Sequence, residues 1–333
     1  MEQRYKQKAG FWASVKEIIV LLIIVFLIRT FGFGLYVVPT GSMETTMLIG
    51  ERFFADKFTI LFSKPKHGDI VSFNDPIFPY SDNKIQRLYQ EYIGFPGGPS
   101  NWTKRVIGVP GDRLKGVIED GKPVIYRNDQ KIDEPYLNQY PLLALWKDEP
   151  NKLQQEAFAH VSNYCTSQEE AEIELSRLLE SQWDWRPYDA RYSFETQIFY
   201  RMNPAYVVRV QANPGSVDGC TITHDGMLFK ESGVPVSYAG MKTMHSGGST
   251  WNGTDEFSIE LGPKEYWLMG DNRRGSFDCR FFGPVREHLI HGKIVFRIFS
   301  LDTRESWLIL DLLKHPIGFW RNARWSRCMQ PVR

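Results

Sequence analysis

From Ile18 to Val38 the chain runs for 21 residues with a single charge, Arg29. About 20 predominantly apolar residues cross the hydrocarbon core of a bilayer. Such a run near the N-terminus constrains everything after it, because the rest of the chain must fold on one side of a membrane. The uninterrupted part, Ile18–Ile28, has 11 residues, so Arg29 is expected at an interface, where long basic side chains snorkel. The span is placed at 13–35, with residues 1–12 as a cytoplasmic N-terminus. A removable leader is the rival reading. It needs a small-x-small cleavage site after an apolar region of about 7–15 residues. Arg29-Thr-Phe-Gly-Phe-Gly follows instead, which favours a retained anchor. Arg4, Lys6, Lys8 and Lys16 precede the span, whereas Arg29 and Arg52, beside Glu44 and Glu51, follow it. The positive-inside rule then puts the N-terminus in the cytoplasm and the bulk of the chain outside.

That bulk reads as globular. With 333 residues, 42% hydrophobic and 24% charged, a disordered or polytopic chain is excluded, and two units or one domain with a large insertion are expected. A net charge of +1 supplies no global field for nucleic acid. The four cysteines, Cys165, Cys220, Cys279 and Cys328, form no C-x-x-C pair, against a zinc ribbon or a dense disulfide scaffold; their pairing stays open. Strands are expected at 51–58, 66–73, 103–112, 265–269 and 291–299, with a hairpin at 124–132 whose tip is Asn128-Asp129. From about 149 to 182 the pattern turns helical and acidic, with Ile173, Leu175, Leu178 and Leu179 near one face. An aromatic cluster follows (Trp183, Trp185, Tyr188, Tyr192, Phe194, Phe199, Tyr200), expected as the small core of an inserted subdomain. The tail 301–333 is basic and aromatic from Lys314 onward, a composition suited to anionic lipid.

The common catalytic signatures G-x-S-x-G, H-E-x-x-H, Walker A and G-x-G-x-x-G are absent. Three other segments stand out: Val38-Pro-Thr-Gly-Ser-Met-Glu-Thr-Thr-Met47, Thr103-Lys-Arg-Val-Ile-Gly-Val-Pro-Gly-Asp112, and 269–284, Met-Gly-Asp-Asn-Arg-Arg-Gly-Ser-Phe-Asp-Cys-Arg-Phe-Phe-Gly-Pro. The first offers a serine hydroxyl on a turn. A serine needs a base to act as a nucleophile. A lysine serves if burial keeps it neutral, and Lys104 stands beside Val106, Ile107 and Val109. Taken singly, each segment also reads as an ordinary turn or a surface charge.

In this order after a membrane anchor, the three segments resemble the boxes of type I signal peptidases, the membrane-bound Ser/Lys leader peptidases of bacteria. The resemblance covers the anchor, about 36–114 and about 262–300. It implies a mainly β, LexA-like signal-peptidase fold behind one N-terminal transmembrane helix. The catalytic β domain would be 36–114 plus 262–300, with a large α+β subdomain inserted at 115–261. It also implies roles. Ser42 would be the nucleophile and Lys104 the general base. Thr40, where a Ser is common, would join the Ser42 N–H in the oxyanion hole. Ser276 would orient the Lys104 ammonium. Asp271, Asp278, Arg280 and Arg105 would support the site. Tyr36, Val38, Pro39, Asn101 and Thr103 would bind substrate by strand addition, with Val38 and Thr103 lining pockets for small side chains. Cys279 replaces a common Ser and is expected to be a spectator. Glu44-Thr-Thr-Met replaces a usual Pro-Thr-Leu stretch, expected to shape the turn rather than the chemistry.

The activity so implied is removal of signal peptides from exported preproteins at Ala-x-Ala-like sites, without a metal or cofactor. The partners would be preprotein signal peptides, the lipid bilayer and the secretion translocon, but no nucleic acid. The place would be the bacterial inner membrane, with the catalytic domain on the periplasmic side. The alternatives are a specialised relative maturing one pilin or conjugation substrate, and a membrane-anchored β-rich binding module.

Overall fold

Helix α1 covers Glu2–Leu27, one π-helical turn follows at Ile28–Gly32, and strand β1 runs from Phe33 to Val37. The computed structural model describes residues 2–94, 97–197, 206–210, 220–236, 242–303 and 307–332, with the backbone alone at 2–12, 176, 177, 180 and 195. The expected span of 13–35 is corrected at its end. Phe33 and Leu35 pair with Asp56 and Phe54, so these residues belong to a sheet. Among the described residues no helix is long and apolar enough to cross a membrane. Lys16 and Glu17 precede the apolar stretch, and the α-helix ends at Leu27. Side chains from Ile18 to Ile28 are 41–62% exposed, so the described residues leave this helix uncovered.

Strands β2 (Glu51–Asp56) and β3 (Ile70–Asn74) precede helix α2 (Lys84–Tyr92). Next come β4 (Asn101–Gly108), β5 (Arg113–Glu119), β6 (Lys122–Arg127), β7 (Gln130–Lys131) and β8 (Leu142–Trp146). Helices α3 (Pro150–Tyr164) and α4 (Gln168–Ser181) lead to β9 (Trp183–Pro187), β10 (Thr221–Ile222) and β11 (Leu228–Lys230). Strands β12 (Met244–Ser246), β13 (Ser249–Trp251), β14 (Phe257–Glu260) and β15 (Glu265–Met269) follow. The last elements are α5 (Cys279–Phe282), β16 (Val285–Arg286), β17 (Ile290–Ser300), α6 (Leu308–Lys314), α7 (Pro316–Arg321) and β18 (Gln330–Pro331).

Local patterns account for most of these strands. In β2 the buried residues alternate, Glu51, Phe53 and Ala55 facing inward, as one covered face requires. In β15 Tyr266, Trp267, Leu268 and Met269 are all buried, so both faces of this strand are covered. The tip residues Asn128 and Asp129 take left-handed backbone angles of 52° and 66°, which a tight hairpin demands and these short polar side chains tolerate.

The strands form three sheets. The first has the order β1-β2-β17-β3-β4-β15-β16, with β18 added on β17. The second is β10-β11-β8-β9 and the third β12-β13-β14-β5-β6-β7. One core joins the first and third sheets, with Phe73, Ile107, Leu114, Phe257 and Trp267 in a single cluster. Each such side chain contributes about 1.5–3 kcal/mol on burial. The expected inserted unit 115–261 is thus divided. Its two ends, β5–β7 and β12–β14, share a core with the first sheet, and the separate sheet is β8–β11 with α3 and α4 beside it.

The helical stretch and the hairpin form where the pattern puts them. Ile173 is a correction, since it is 65% exposed while Leu175, Leu178 and Leu179 are half-buried. The helical face is narrower than the sequence suggests. Trp183 and Trp185 meet edge to face, and Trp146 meets Trp183 likewise. Tyr188 packs on Phe194 and Phe229. Phe199 and Tyr200 lie outside the described residues. The described residues of the basic aromatic stretch pack on the domain. Strand β18 pairs with β17, Phe319 is buried beside Leu301, and Arg327 reaches Glu51 at 2.7 Å.

Candidate active site

The Thr40–Met47 segment leaves β1, makes a 3₁₀ turn at Gly41–Met43, and returns toward β2. Val38, Met43 and Met47 are buried with Phe53, Ala55, Ile70 and Ile294. Apolar anchors on both sides therefore fix the turn that carries Ser42. Lys104 lies in the middle of β4, buried together with Arg105–Gly108 that follow it. Its Nζ is 2.9 Å from Ser42 Oγ, in a buried hydrogen bond across 62 residues of chain. As an ammonium Lys104 donates; as a neutral amine it accepts the serine proton along the same line.

Burial pulls the Lys104 pKa down to about 8, against the raising pull of Asp278, Cys279 and Asp271. Low dielectric disfavours the ammonium. At pH 7 about one Lys104 in ten is then neutral, against fewer than about one in a thousand for an ordinary lysine.

The segment after β15 braces this pair. Asn272 donates its backbone N–H to Ser42 O at 3.1 Å and its side-chain amide to Gly41 O at 3.0 Å. Gly270 has no room for a side chain, since a Cβ there would lie 2.5 Å from Ser42 O and 2.3 Å from Ser276 Oγ. Asp278 receives two guanidinium bonds from Arg280, each 2.9 Å, and the Gly270 N–H at 3.1 Å. Burial alone would raise the Asp278 carboxyl, but Arg280 outweighs it and holds the pKa below the usual range. Arg280 also binds Asp255 at 2.7 Å. Arg105 grips Asp271 through two bonds of 2.7 and 2.8 Å and stacks on Tyr136 at 4.0 Å.

The expected residues are therefore largely assembled. Ser42 and Lys104 touch, and Arg105–Asp271 and Arg280–Asp278 form two buried pairs. Ser276 is buried next to Gly270, but its Oγ has no hydrogen-bond partner. The expected contact with Lys104 is not made in this conformation. Thr40 is exposed and extended, and its side chain caps nothing. Cys279 is fully buried, and burial drives its thiol pKa well above the ordinary value, which suits a spectator. All four cysteines are free.

Two strands keep an unpaired edge among the described residues. Strand β1 ends the first sheet, so one edge is unpaired. Strand β4 pairs with β3 along Asn101–Arg105, but β15 joins it only from Arg105 to Gly108. Asn101 and Thr103 thus keep one free edge among the described residues. Unpaired edges accept an added strand. Val38 is turned into the core rather than outward, and Tyr36 stacks on His291, so these residues offer backbone rather than side chain. Pro39 is exposed.

Sequence reasoning missed a pair that ties the serine turn to the separate sheet. Glu44, two residues past Ser42, is completely buried and accepts two bonds from Arg186 of β9, at 2.7 and 3.0 Å. Its carboxylate also fills the space beside Gly41, where a Cβ would come within 2.9 Å. The replacement of the usual Pro-Thr-Leu was the one local signal. Nothing near Arg186 or Asp255 marks either as a partner of the site.

A family model described as signal peptidase, peptidase S26, matches residues 11–174 and 196–299. The chain is 27% identical over 314 residues to "Signal peptidase I" of Buchnera aphidicola subsp. Schizaphis graminum, covering 90% of this chain and 79% of that protein. It is 33% identical over 138 residues to "Signal peptidase I P" of Bacillus subtilis subsp. natto, covering 41% of this chain and 60% of that protein.

Proposed function

The chain belongs to the signal peptidase family S26, serine endopeptidases that remove signal peptides, and from this premise we propose that it cuts exported preproteins at small-x-small, Ala-x-Ala-like sites with Ser42 as nucleophile and Lys104 as base. The observation that carries this reading is the buried 2.9 Å contact between Ser42 Oγ and Lys104 Nζ. Neutral Lys104 takes the hydroxyl proton as Oγ attacks the scissile carbonyl. The tetrahedral oxyanion is held by the Ser42 N–H and the Thr40 hydroxyl. N–H groups at the start of a helical turn have no acceptor within it, which leaves the Ser42 amide available. Lys104 passes the proton to the leaving amine, and the acyl group stays on Ser42. Lys104 then takes a proton from water as the water oxygen attacks the ester carbonyl, and returns it to Ser42 Oγ as the C–Oγ bond breaks and the product acid leaves. These steps follow the logic of nucleophile, base and oxyanion hole without histidine.

The substrate would lie extended between the free edges of β1 and β4, paired through Tyr36–Pro39 on one side and Asn101–Thr103 on the other. Asp271–Arg105 and Asp278–Arg280 are positioning pairs that brace the strand ends. Ser276 is proposed to turn onto the Lys104 ammonium during the cycle, which would give both groups a partner.

The same reading makes α1 a single-pass anchor in the bacterial inner membrane, with the catalytic domain on the periplasmic side. It is supported by the uncovered apolar side chains of Ile18–Ile28 and by Arg4, Lys6, Lys8 and Lys16 on the N-terminal flank. Preprotein signal peptides, lipid and the translocon are the partners this implies.

The test is cleavage of a model preprotein with an Ala-x-Ala site by the full chain in detergent. Wild type is expected to cut and Ser42→Ala to leave the substrate intact. Processing by folded Ser42→Ala would remove Ser42 as nucleophile. Thr40→Val, which keeps shape and loses the hydroxyl, is expected to lower kcat about 10²–10³-fold, as loss of one oxyanion donor does. An unchanged kcat would remove Thr40 from the hole.

A further inference from the structure

Helix α2 turns its apolar side outward. Ile85, Leu88 and Tyr92 recur at i, i+3 and i+7, on one face, and are 80%, 56% and 52% exposed. A helix in a globular domain normally buries such a stripe. The helix is well formed, because Asn83 caps its first turn through bonds to the N–H groups of Ile85 and Gln86. The charges on the helix and just before it balance: Lys84 and Arg87 are offset by Glu91 and, ahead of the cap, by Asp82.

Strand register shows where this stripe sits. Phe33 of β1 pairs with Asp56 of β2, Asp56 with Lys293 of β17, and Lys293 with Val71 of β3. Asn74 then pairs with Asn101 at the far ends of β3 and β4. Helix α2, lying between those two residues, hangs from the rim at which the chain enters the sheet from α1. Contact confirms this placement, since the Tyr92 and Phe31 rings lie 6.4 Å apart. The turn after β2 joins the same rim. Its Lys57 and Phe58 N–H groups both donate to Gly32 O at 3.0 Å, and its Phe62 side chain is 77% exposed.

We propose that α2 lies in the lipid interface, as a second and non-spanning contact of the domain with the bilayer that α1 enters. The occupant is lipid because the exposed stripe continues that of α1 through Phe31 and Tyr92. Tyrosine with its ring in the apolar boundary and its hydroxyl in the headgroup layer is the usual interfacial arrangement. With the charges of 82–92 in balance, the contact is apolar, and zwitterionic lipid suffices. The inference rests on the reading of α1 as a membrane anchor.

The test places a photo-crosslinking p-benzoylphenylalanine at Leu88, at Gln86 on another face of α2, and at Leu22 of α1. Each full-length variant is reconstituted in phosphatidylcholine vesicles, irradiated with and without preprotein, and its adducts are read by mass spectrometry. Lipid adducts are expected from positions 22 and 88, in yields within about threefold of each other, and at least about tenfold less from 86. Adducts at 22 but none at 88 would overturn the α2 contact and leave the anchor standing. Adducts at neither position would overturn both. A preprotein adduct at 88 replacing the lipid adduct would assign the stripe to the signal peptide instead and overturn the proposal.

Discussion

Lys104→Met is expected to abolish cleavage and, at neutral pH, to make the protein more stable. The first effect follows from loss of the base, at least about 10²–10⁴ in rate for general-base catalysis. The second follows from the sign of the pKa shift. Burial lowers the folded pKa of Lys104 to about 8, while the unfolded chain keeps the ordinary value near about 10.4. Between these values the unfolded state binds more protons, so wild-type stability rises with pH across that window. Below pH 8 the whole cost of the buried ammonium is present, at most on the order of 3 kcal/mol. Methionine keeps the stem and carries no such cost. The melting temperature of Lys104→Met should therefore exceed that of wild type at pH 7 and converge with it above pH 10. A variant that melts lower at pH 7 would mean that Asp278 and the Ser42 hydrogen bond outweigh desolvation. The wild-type rate should rise about tenfold per pH unit up to about 8 and then level, because only the neutral amine accepts the proton. A flat profile from about 6 to about 9 would remove Lys104 as the titrating base.

Arg186→Met is expected to destabilise the protein by about 3–5 kcal/mol, the usual cost of leaving one member of a buried pair alone. Glu44 is wholly enclosed and Arg186 nearly so, at 0% and 7% exposure. Activity should fall with stability, because the carboxylate fills the space beside Gly41 and shapes the turn that presents Ser42. Misplacing a nucleophile by about 1 Å costs on the order of 10²-fold. Burial raises the Glu44 pKa, and Arg186 is the main influence opposing it. Without Arg186 the carboxyl rises further, the folded state holds its proton more tightly, and the deficit of the variant shrinks as the pH falls. Denaturant unfolding at pH 5 and pH 8 reads this directly. The double variant Glu44→Leu/Arg186→Met should recover much of the stability, since replacing both charges removes the orphan. An Arg186→Met deficit independent of pH would show that packing, not the charge, is what Arg186 supplies.

These two sites mark the limits of what the sequence discloses. The contact of Ser42 with Lys104 is legible because each sits in a short segment of recognisable pattern: a glycine before the serine, an apolar strand around the lysine, and a Gly-Asp-Asn turn that braces the serine. Even Arg105–Asp271, 166 residues apart, joins two of those segments. Arg186 and Asp255 are different. Each lies in a stretch with no motif of its own, and each meets the site only after sheets that are distant in sequence have packed. The division of 115–261 was hidden for a related reason. Strands β5 and β14 are paired, Leu114 opposite Ile259, but alternation within either strand does not name its partner. The end of the apolar helix was misplaced because Phe33 and Leu35 are as apolar in a strand as in a membrane.

Strand β1 connects the end of the apolar helix to the serine turn, and all five of its residues are registered against β2. At about 3.4 Å per residue it is a rod of roughly 14 Å, not a tether. Its length sets how far from the exit of the apolar helix the bond-breaking atom can sit. A substrate whose own apolar helix ends at the same level must bridge that interval with extended chain, and too few residues will leave its scissile bond short of Ser42. On the proposed reading of α1 as anchor and Ser42 as nucleophile, the strand would act as a ruler. The cleavage position would then be set by residues counted from the membrane, and small side chains at the cut would refine a choice that distance had already made.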